Sequence, residues 1–260
     1  MLANAWDIGS AWLLCGEGLP ALATTSAGIA FSRGLPDRGE VPRDLVLAVA
    51  GGIAAAVDVP VSADLEDGYG ADPEAVGRTI GLAVEAGLVG CNLEDGTGDA
   101  ARPLRDSQEM VERLRAARAA ADAGGRRFFI NARTDGYWVG GSGPETLREA
   151  VRRGQAYLEA GADGIFVPLV VQPDEIAVLV RELDGPLNVL VSPRTPSVPR
   201  LMELGVRRLS AGGGLLRAAY GAAREAVREL LGPGTYGFAE RAIPHAEMER
   251  LMTARVAGGQ

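Results

Sequence analysis

The sequence predicts an α/β protein built as a (β/α)8 barrel of the TIM type, and three observations favour this fold. Eight short apolar runs alternate with longer amphipathic segments, as expected when buried parallel strands are each followed by a helix. The 260 residues come close to the roughly 250 of a typical barrel of this kind. Gly87, Gly161 and Gly205 each end a helical segment shortly before an apolar run, where a left-handed helix C-cap is common.

The predicted strands and helices follow from these alternating patterns. Several helical segments begin with proline or an acidic residue, as helix N-termini do. The predicted strands span residues 2–6, 21–25, 59–65, 90–93, 128–132, 164–169, 187–192 and 207–211. Examples of the predicted helices span residues 43–57, 73–86, 106–123, 145–160 and 173–183.

We expect one domain over residues 1–260, because no linker interrupts the pattern. Residues 232–260 open with glycine and proline and then read as helical, which predicts a C-terminal helical appendage that packs on the barrel or on another subunit. A doubly wound open sheet is the alternative fold, but it normally has fewer strands and a G-x-G-x-x-G fingerprint that is absent here. Three glycines at 212–214 follow the last strand, where they either bring backbone amides to an anion or simply begin a helix.

The composition excludes several classes of protein. The net charge of −8 argues against nucleic-acid binding, which needs a basic face. No apolar run approaches the roughly 20 residues of a membrane span, and the first residues lack the basic region of a secretory signal. Cys15 and Cys91 form no CxxC motif and no disulfide framework, which is typical of a reducing cytosol. We therefore expect a cytoplasmic protein that binds neither nucleic acid nor a membrane.

The chain contains no lysine, since all 26 basic residues are arginine, and His245 is its only histidine. The absence of lysine excludes Schiff-base and pyridoxal phosphate chemistry as well as a Walker-type phosphate loop. A single histidine cannot build a multi-histidine zinc site. Catalysis is therefore expected from carboxylates, arginine, hydroxyl groups or a metal ion.

Acidic residues collect at the predicted C-terminal ends of the third and fourth strands, the end of a barrel where active sites lie. Asp64 and Glu66 are two residues apart on one strand and should point to the same face, and Glu94 ends the next strand. Such carboxylates repel each other unless a cation joins them, and oxygen ligands favour Mg²⁺ or Mn²⁺. Arg133 ends the fifth strand and could bind a substrate carboxylate or phosphonate through two hydrogen bonds. The alternative is a solvated acidic rim with Arg133 as its counter-ion.

Small polar residues after the second strand form a further candidate site. Their hydroxyl groups and backbone amides could hold an anion, although an ordinary polar loop has the same composition. The candidates for substrate binding are Thr25, Ser26, Ala27 and Gly28, together with Ser192 at the end of the seventh strand. His245 is expected at the surface or at a helix cap, and both cysteines are expected in the core.

These residues fall in motifs that resemble the isocitrate lyase/phosphoenolpyruvate mutase superfamily over nearly the whole chain. The segment 64–70, Asp-Leu-Glu-Asp-Gly-Tyr-Gly, resembles the metal motif D-x-D-x-G-[YF]-G, with Glu66 in place of the second aspartate. The segments 93–95, Leu-Glu-Asp, and 131–135, Asn-Ala-Arg-Thr-Asp, resemble the I-E-D and A-R-T-D segments that serve the metal and the substrate. Residues 4–7, 25–28 and 34–37 are similar to the opening strand, to the anion-binding turn and to a loop whose aspartate approaches the metal.

The resemblance implies a (β/α)8 barrel with Mg²⁺ at Asp64, Glu66 and Glu94, partly through water that Asp37 helps to order. It implies that Arg133 binds the substrate, a small anionic α-keto or α-hydroxy diacid. It also implies tetramers with a C-terminal helix exchanged between subunits, so we expect a homo-oligomer, either a dimer or a tetramer.

The loop after Glu94 and Asp95 departs from the family. Isocitrate and methylisocitrate lyases carry a gating loop K-[KR]-C-G-H there, whereas the mutases and phosphonopyruvate hydrolases carry E-D-K-x4-K-x-[NT]-S. Residues 96–103 contain no lysine, cysteine or histidine. The sixth strand also ends in Val167 and Pro168 where the lyases have a glutamate next to proline.

The remaining groups suffice for C–C cleavage without a protein nucleophile, because a metal-chelated α-keto acid accepts the electrons of the broken bond. We therefore predict a Mg²⁺-dependent lyase that cleaves a C–C bond next to an α-keto or α-hydroxy acid, like an oxaloacetate decarboxylase or a methylisocitrate lyase. The candidate catalytic residues are Arg133, Asp37 and Thr97, with Thr97 near the leaving group. The alternatives are P–C bond chemistry on phosphonopyruvate, by a mutase or a hydrolase, and a non-catalytic barrel that binds a metabolite.

Overall fold

The computed structural model describes residues 1–37 and 41–253, and within them eight parallel strands form one sheet. Neighbouring strands follow the order of the sequence, and the Leu2 amide donates to the Leu209 carbonyl at 2.8 Å, so the first strand meets the last. This order confirms the predicted (β/α)8 barrel and excludes the doubly wound open sheet. The strands are β1 (Ala3–Ala5), β2 (Leu22–Thr24), β3 (Val61–Asp64), β4 (Gly90–Glu94), β5 (Phe129–Arg133), β6 (Gly164–Val167), β7 (Leu187–Leu190) and β8 (Arg208–Ser210).

Helices cover the outside of the barrel, and the five predicted ones begin and end within one residue of their predicted limits. Their N-termini carry local signals: Asp72 and Asp106, for example, accept hydrogen bonds from amides of the first helical turn that would otherwise lack a partner. The helices are α1 (Ile8–Gly16), α2 (Ser26–Phe31), α3 (Arg43–Ala56), α4 (Pro73–Glu85), α5 (Ser107–Ala123), α6 (Gly136–Gly140), α7 (Pro144–Glu159), α8 (Pro173–Glu182), α9 (Val198–Glu203), α10 (Gly214–Leu231), α11 (Gly237–Arg241) and α12 (His245–Thr253).

Glycines at three helix-to-strand joints adopt the left-handed conformation that the sequence predicts. The φ angles are 83° at Gly87, 105° at Gly161 and 91° at Gly205. A residue with a side chain loses roughly 1–2 kcal/mol in this region, so glycine lets each helix end sharply and the chain turn into the next strand.

The C-terminal helical extension is confirmed as far as residue 253, and the rest of the predicted appendage, 254–260, lies outside the described residues. Helix α12 packs against α1, where Gly16 leaves room for the Leu251 side chain. His245 begins α12 at the surface, as expected. Cys91 is buried in the core and Cys15 is only half-buried. Within residues 1–37 and 41–253, no helix combines the length and the apolar character that crossing a bilayer requires.

Polar side chains fill part of the barrel interior and lead towards the C-terminal ends of the strands. Asp64, Asn92 and Asn131 are register partners on β3, β4 and β5. The Asn131 amide donates to Asn92 Oδ1 at 2.8 Å, and the Asn92 amide lies 3.5 Å from Asp64 Oδ1. The side-chain amides thus form a row that ends at the Asp64 carboxylate.

A buried arginine on α5 fixes the loop between β3 and α4. The Arg113 side chain is 1% exposed, and its guanidinium donates to the carbonyl oxygens of Asp67, Gly70 and Ala71 at 3.1, 2.5 and 3.3 Å. Burial lowers the pKa of Arg113, although it leaves the group a cation at neutral pH. Arg113 therefore acts as a donor that satisfies three carbonyls of one loop.

A second buried network joins the ends of β4 and β5 to α7. Asp95 is fully buried and accepts hydrogen bonds from the Asp135 amide at 2.9 Å and the Tyr157 hydroxyl at 2.7 Å, while Arg153 lies 3.1 Å away. Burial raises the pKa of Asp95, and these three donors oppose that rise. Asp95 comes directly after Glu94, the last residue of β4, and Asp135 comes two residues after Arg133, the last residue of β5. The network therefore holds the ends of both strands in place.

Replacing Arg113 by methionine should destabilise the protein by about 2–3 kcal/mol, because methionine fills the space but leaves the three loop carbonyls without a donor. Urea unfolding followed by circular dichroism measures the change in the free energy of unfolding. Arg115→Met is the matched control, since Arg115 lies on the same helix but is exposed. Equal stability of the two variants would contradict the role of Arg113.

Tyr157→Phe should lower the free energy of unfolding by about 2 kcal/mol, because it removes a hydrogen bond to a buried carboxylate without changing the packing of the ring. The exposed Tyr220 offers the control Tyr220→Phe, which should change stability by less than about 0.5 kcal/mol. Thermal or urea unfolding of the three proteins tests this, and a loss no larger than in the control would refute it.

Candidate active site

A cavity of about 490 Å³ opens at the C-terminal ends of the strands, where a barrel of this type carries its active site. Every strand, or the loop after it, contributes to the wall. The charged lining residues are Asp37, Asp64, Glu66, Glu94, Arg133 and Arg217. The polar ones are Asn4, Thr25, Ser26, Asn92, Ser192 and Ser210, and the larger apolar ones are Phe31, Trp138, Phe166, Pro168, Leu169, Leu190, Val191 and Pro193.

Asp64 ends β3 and is held by the first residue of α2. The Ser26 amide and hydroxyl group donate to Asp64 Oδ2 at 3.0 and 2.8 Å. The anion that these two donors hold in this structure is therefore the carboxylate of Asp64 itself. This arrangement fixes the orientation of the Asp64 side chain at the wall of the cavity.

The turn at residues 25–28 divides between the cavity wall and the packing behind it. Thr25, Ser26 and Ala27 line the cavity, whereas Gly28 does not. The Gly28 amide donates to Thr25 Oγ1 at 3.2 Å, and a Cβ on Gly28 would lie 2.4 Å from the Thr25 methyl group. Gly28 thus permits close packing beneath the turn.

Glu66 lies outside the strand on which the sequence pattern placed it, so that expectation was wrong. Strand β3 ends at Asp64, and Glu66 adopts a left-handed conformation with φ 48°. The Glu94 amide donates to the Glu66 carbonyl at 2.8 Å, and the Tyr69 hydroxyl donates to Glu66 Oε1 at 3.2 Å. Burial and the neighbouring carboxylates raise the pKa of Tyr69, so its hydroxyl stays protonated. The turn still brings Glu66 to the cavity beside Asp64.

Arg133 is held between two carboxylates at the end of β5. Its guanidinium contacts Glu94 Oε2 at 2.6 Å and makes two bonds with Asp135, at 2.6 and 3.1 Å. Burial alone would lower the pKa of Arg133, but Glu94 and Asp135 raise it further, so the group stays charged. A guanidinium has five N–H donors, and these contacts with described residues use three of them. Arg133 is thus a counter-ion to its neighbours at the wall of the cavity.

Aromatic rings shield this guanidinium from water on two sides. The centre of the guanidinium lies 5.7 Å from the Phe166 ring and 6.0 Å from the Trp138 ring, within cation–π range. Both residues line the cavity. The shielding strengthens electrostatic contacts of Arg133 with whatever enters the site.

The acidic residues fit a cation that is bound partly through water. Among the described residues, no three carboxylate, imidazole or thiol groups lie close enough together to hold a metal ion directly. Asp64, Glu66 and Glu94 nevertheless share one cavity, whose described lining residues include four carboxylates and two guanidinium groups. The oxygen donors of these carboxylates suit Mg²⁺, which keeps several of its waters in proteins.

The other predicted site residues fall in different places. Asp37 and Ser192 line the cavity, and the Ser192 hydroxyl lies 2.9 Å from the Thr195 hydroxyl. Thr97 does not line it, because its hydroxyl binds the Arg102 carbonyl at 2.5 Å within the loop after β4. The structure therefore does not support contact between Thr97 and a leaving group.

Backbone amides after β8 are engaged by a side chain from the start of the protein. Asn4 Oδ1 accepts hydrogen bonds from the amides of Ala211 and Gly212, both at 2.9 Å. The glycines at 212–214 were expected either to bring amides to an anion or to begin a helix. The structure shows the helix start, since α10 begins at Gly214. The glycines still line the cavity, where the lack of side chains leaves space.

Sequence reasoning missed Arg217 and the apolar residues of the wall. Arg217 lies in the first turn of α10, three residues after Gly214. Its position could have been predicted, because a helix that follows a barrel strand begins at the active-site end. An arginine in the first turn of the helix after the last strand therefore lies close to the site. The apolar residues of the wall could not be predicted from the sequence, because the same residue types also form the core.

A family model described as phosphoenolpyruvate phosphomutase matches residues 1–231. The 2-methylisocitrate lyase of Shewanella oneidensis is 31% identical over 229 residues, which are 84% of this chain and 75% of that protein. A solved structure from Burkholderia cenocepacia J2315, provisionally described as a lyase/mutase, is 42% identical, with a TM-score of 0.92 over 97% of this chain and 90% of the other. The structure of oxaloacetate acetylhydrolase with its product oxalate is 26% identical, with a TM-score of 0.84 over 99% of this chain and 91% of the other.

The span that the family model matches includes the motifs at residues 64–70 and 131–135, from which Asp64, Glu66 and Arg133 line one cavity. Because the match extends over residues 1–231 of 260 and includes every strand of the barrel, this chain belongs to the phosphoenolpyruvate phosphomutase family, within the isocitrate lyase/phosphoenolpyruvate mutase superfamily of lyases and mutases.

Proposed function

We propose that the protein is a Mg²⁺-dependent lyase that cleaves a C–C bond next to the keto or hydroxyl group of a small α-keto or α-hydroxy diacid. The observation that carries this proposal is the cavity lining, in which Asp64, Glu66 and Glu94 lie with Arg133 around one space. The carboxylates suit a hard cation and the arginine suits an anion. A ligand that offers carboxylate and keto oxygens to both is the simplest match.

The proposed cation site uses Asp64, Glu66 and Glu94, partly through water, and Asp37 would order one of those waters. Mn²⁺ should replace Mg²⁺, because both ions prefer oxygen ligands. When bound, the cation supplies a Lewis acid that draws electron density from the substrate oxygens.

The side chains around the cation bind and orient the substrate. Arg133 is fixed by Glu94 and Asp135, and its remaining N–H groups donate to one substrate carboxylate. Arg217 approaches from α10 and provides a second positive charge for the other anionic group. Ser26 keeps Asp64 in one orientation, so the ligand meets a preorganised site.

The loop after β4 favours a reaction that needs no protein acid at this position. Its residues 96–103 offer no cysteine, histidine or lysine, and a bridge between Gly96 and Leu104 ties the loop to itself. Decarboxylation of an oxaloacetate-like acid can take its proton from water after CO2 leaves. Methylisocitrate lyase-like cleavage is the related possibility, with the proton donor unassigned.

Two other functions remain distinct candidates. Arg133 and the cation site would also suit phosphonopyruvate, in which a phosphonate replaces a carboxylate, and the family model matched here is that of phosphoenolpyruvate phosphomutase. A barrel that binds a metabolite without turning it over is the second alternative, and the altered loop after β4 is its only support.

The exposed face of α10 supports a homo-oligomer. Leu216 is the only buried residue of this 18-residue helix, whereas Tyr220, Val227, Leu230 and Leu231 are exposed. Burying such apolar side chains between copies of the chain is favourable. We propose a dimer or a tetramer that forms through the C-terminal helices. We place it in the cytoplasm because two cysteines far apart in sequence suit a reducing compartment.

Oxaloacetate with Mg²⁺ should yield pyruvate and CO2 above the rate of the metal alone. Glu94→Gln should lower turnover roughly 100-fold, because it removes a charge from the cation site and from Arg133. Glu112→Gln on the exposed face of α5 is the control and should leave turnover unchanged. A coupled assay for pyruvate measures the rates, and chelation by EDTA should abolish them.

The outcomes separate the candidates. Conversion of phosphonopyruvate to phosphoenolpyruvate, or to pyruvate and phosphate, without turnover of oxaloacetate would indicate that the protein acts on a P–C bond and not on a C–C bond. Mg²⁺ binding without turnover of oxaloacetate, phosphonopyruvate or larger hydroxy diacids would favour the non-catalytic barrel. No binding of Mg²⁺ in calorimetry would refute the cation site.

Light scattering should give a mass that is twice or four times the 27.0 kDa of one chain. Leu230→Glu should shift the protein to the monomer, because it places a charge on the apolar face of α10. Leu82→Glu on the exposed side of α4 is the control and should keep the mass of the wild type. A wild-type monomer at micromolar concentration would contradict this assembly.

A further inference from the structure

The cavity has two unlike sides. Its acidic residues belong to β3, β4 and the loops after β2 and β3, and Arg133 ends β5. The other side, after β6 and β7, forms an apolar arc. We use that name for six lining residues: Phe166, Pro168, Leu169, Leu190, Val191 and Pro193.

No charged residue interrupts the apolar arc among the described residues that line the cavity between β6 and the end of the β7 loop. Ser192 is the one polar lining residue there, and its hydroxyl lies 2.9 Å from that of Thr195. The two guanidinium groups of the lining come from β5 and α10, on either side of the arc. Phe166 borders the Arg133 guanidinium, but an anionic group against the rest of the arc would meet no charged partner among the described lining residues, which is unfavourable.

Leu169 occupies a strained position in this arc. Its φ of 65° makes it one of three non-glycine residues with positive φ in the described part of the chain, and Glu66, another of them, lines the acidic side of the cavity. A leucine in this region is unusual and persists only where the surrounding structure demands it. The strain here puts an apolar side chain on the wall of the cavity.

We infer that the substrate is a dianion that carries an uncharged alkyl or aryl branch, and that this branch packs against the apolar arc. The inference rests on the proposed function and narrows its substrate class. The two carboxylates face Arg133, Arg217 and the cation site. A third carboxylate on the branch would find no charged partner in the arc beyond Phe166 among the described residues. The cavity volume of about 490 Å³ lies within the range of pockets that hold ligands larger than a four-carbon diacid.

Calorimetry with three unreactive diacids in the presence of Mg²⁺ tests this inference directly. Malonate supplies the two carboxylates alone, n-butylmalonate adds an alkyl branch, and 2-carboxyethylmalonate adds a charged branch. Each buried methylene should strengthen binding about fourfold. We therefore expect n-butylmalonate to bind at least tenfold more tightly than malonate, and 2-carboxyethylmalonate to bind no more tightly than malonate.

Variants of the arc connect the effect to this surface. Val191→Thr keeps the shape of the side chain and makes it polar, and Leu169→Gln changes the strained position at similar size. Each should reduce the ratio of n-butylmalonate to malonate affinity at least threefold. Leu82→Gln, on the exposed side of α4, should leave the ratio unchanged. Because Val191 is half exposed, its variant should fold even if Leu169→Gln does not.

The results distinguish the two proposals. Equal affinity for malonate and n-butylmalonate, or tightest binding of 2-carboxyethylmalonate, would overturn the inference and leave the proposed function standing. A ratio unchanged by Val191→Thr would place the branch elsewhere and also overturn it. If none of the three acids binds, the proposed diacid site itself fails, and the inference fails with it.

Discussion

The ion pair between Arg133 and its two carboxylates sets the arrangement of the rest of the site. A buried guanidinium needs partners of opposite charge, and Glu94 and Asp135 supply them from the ends of β4 and β5. Asp135 is held in turn by Asp95 through its amide, and Asp95 depends on Tyr157 and Arg153 of α7. A chain of charge and hydrogen bonds thus runs from the outer helices to the cavity. Each charged or polar group of this chain can stay buried because the next group supplies its ion pair or hydrogen bond.

Much of the fold could be predicted because buried parallel strands read as apolar runs of similar length, and all eight appear in the structure. The helix limits followed from proline, aspartate and glycine signals that act within one turn, such as Asp72 and Gly87. Asp64, Glu94 and Arg133 could be found because strand ends meet at one edge of a barrel. The position of a residue at a strand end does not give the distances between these three side chains, so the sequence could not predict them.

The sequence-based predictions failed for residues whose positions depend on local backbone geometry or on contacts between distant parts of the chain. Glu66 follows a strand that ends two residues before it, and a left-handed turn, not strand alternation, brings it to the cavity. Thr97 binds a carbonyl of its own loop, which composition does not reveal. The network around Asp95 joins residues about 60 positions apart, so no local pattern announces it. Arg217 and the apolar arc required knowledge of which faces of α10, β6 and β7 meet the cavity.

Asn4 joins the two ends of the barrel, since its side chain holds the amides of Ala211 and Gly212, 207 and 208 positions later in the chain. A contact of such sequence separation can form only after nearly the whole chain has been synthesised. A nascent chain that has just emerged through β5 already contains Asp64, Glu94 and Arg133, but the wall formed by β6, β7 and β8 is missing. Without those strands, these groups would lack the opposing wall of the cavity. Completion of the site and closure of the barrel are therefore the same event in the life of the protein.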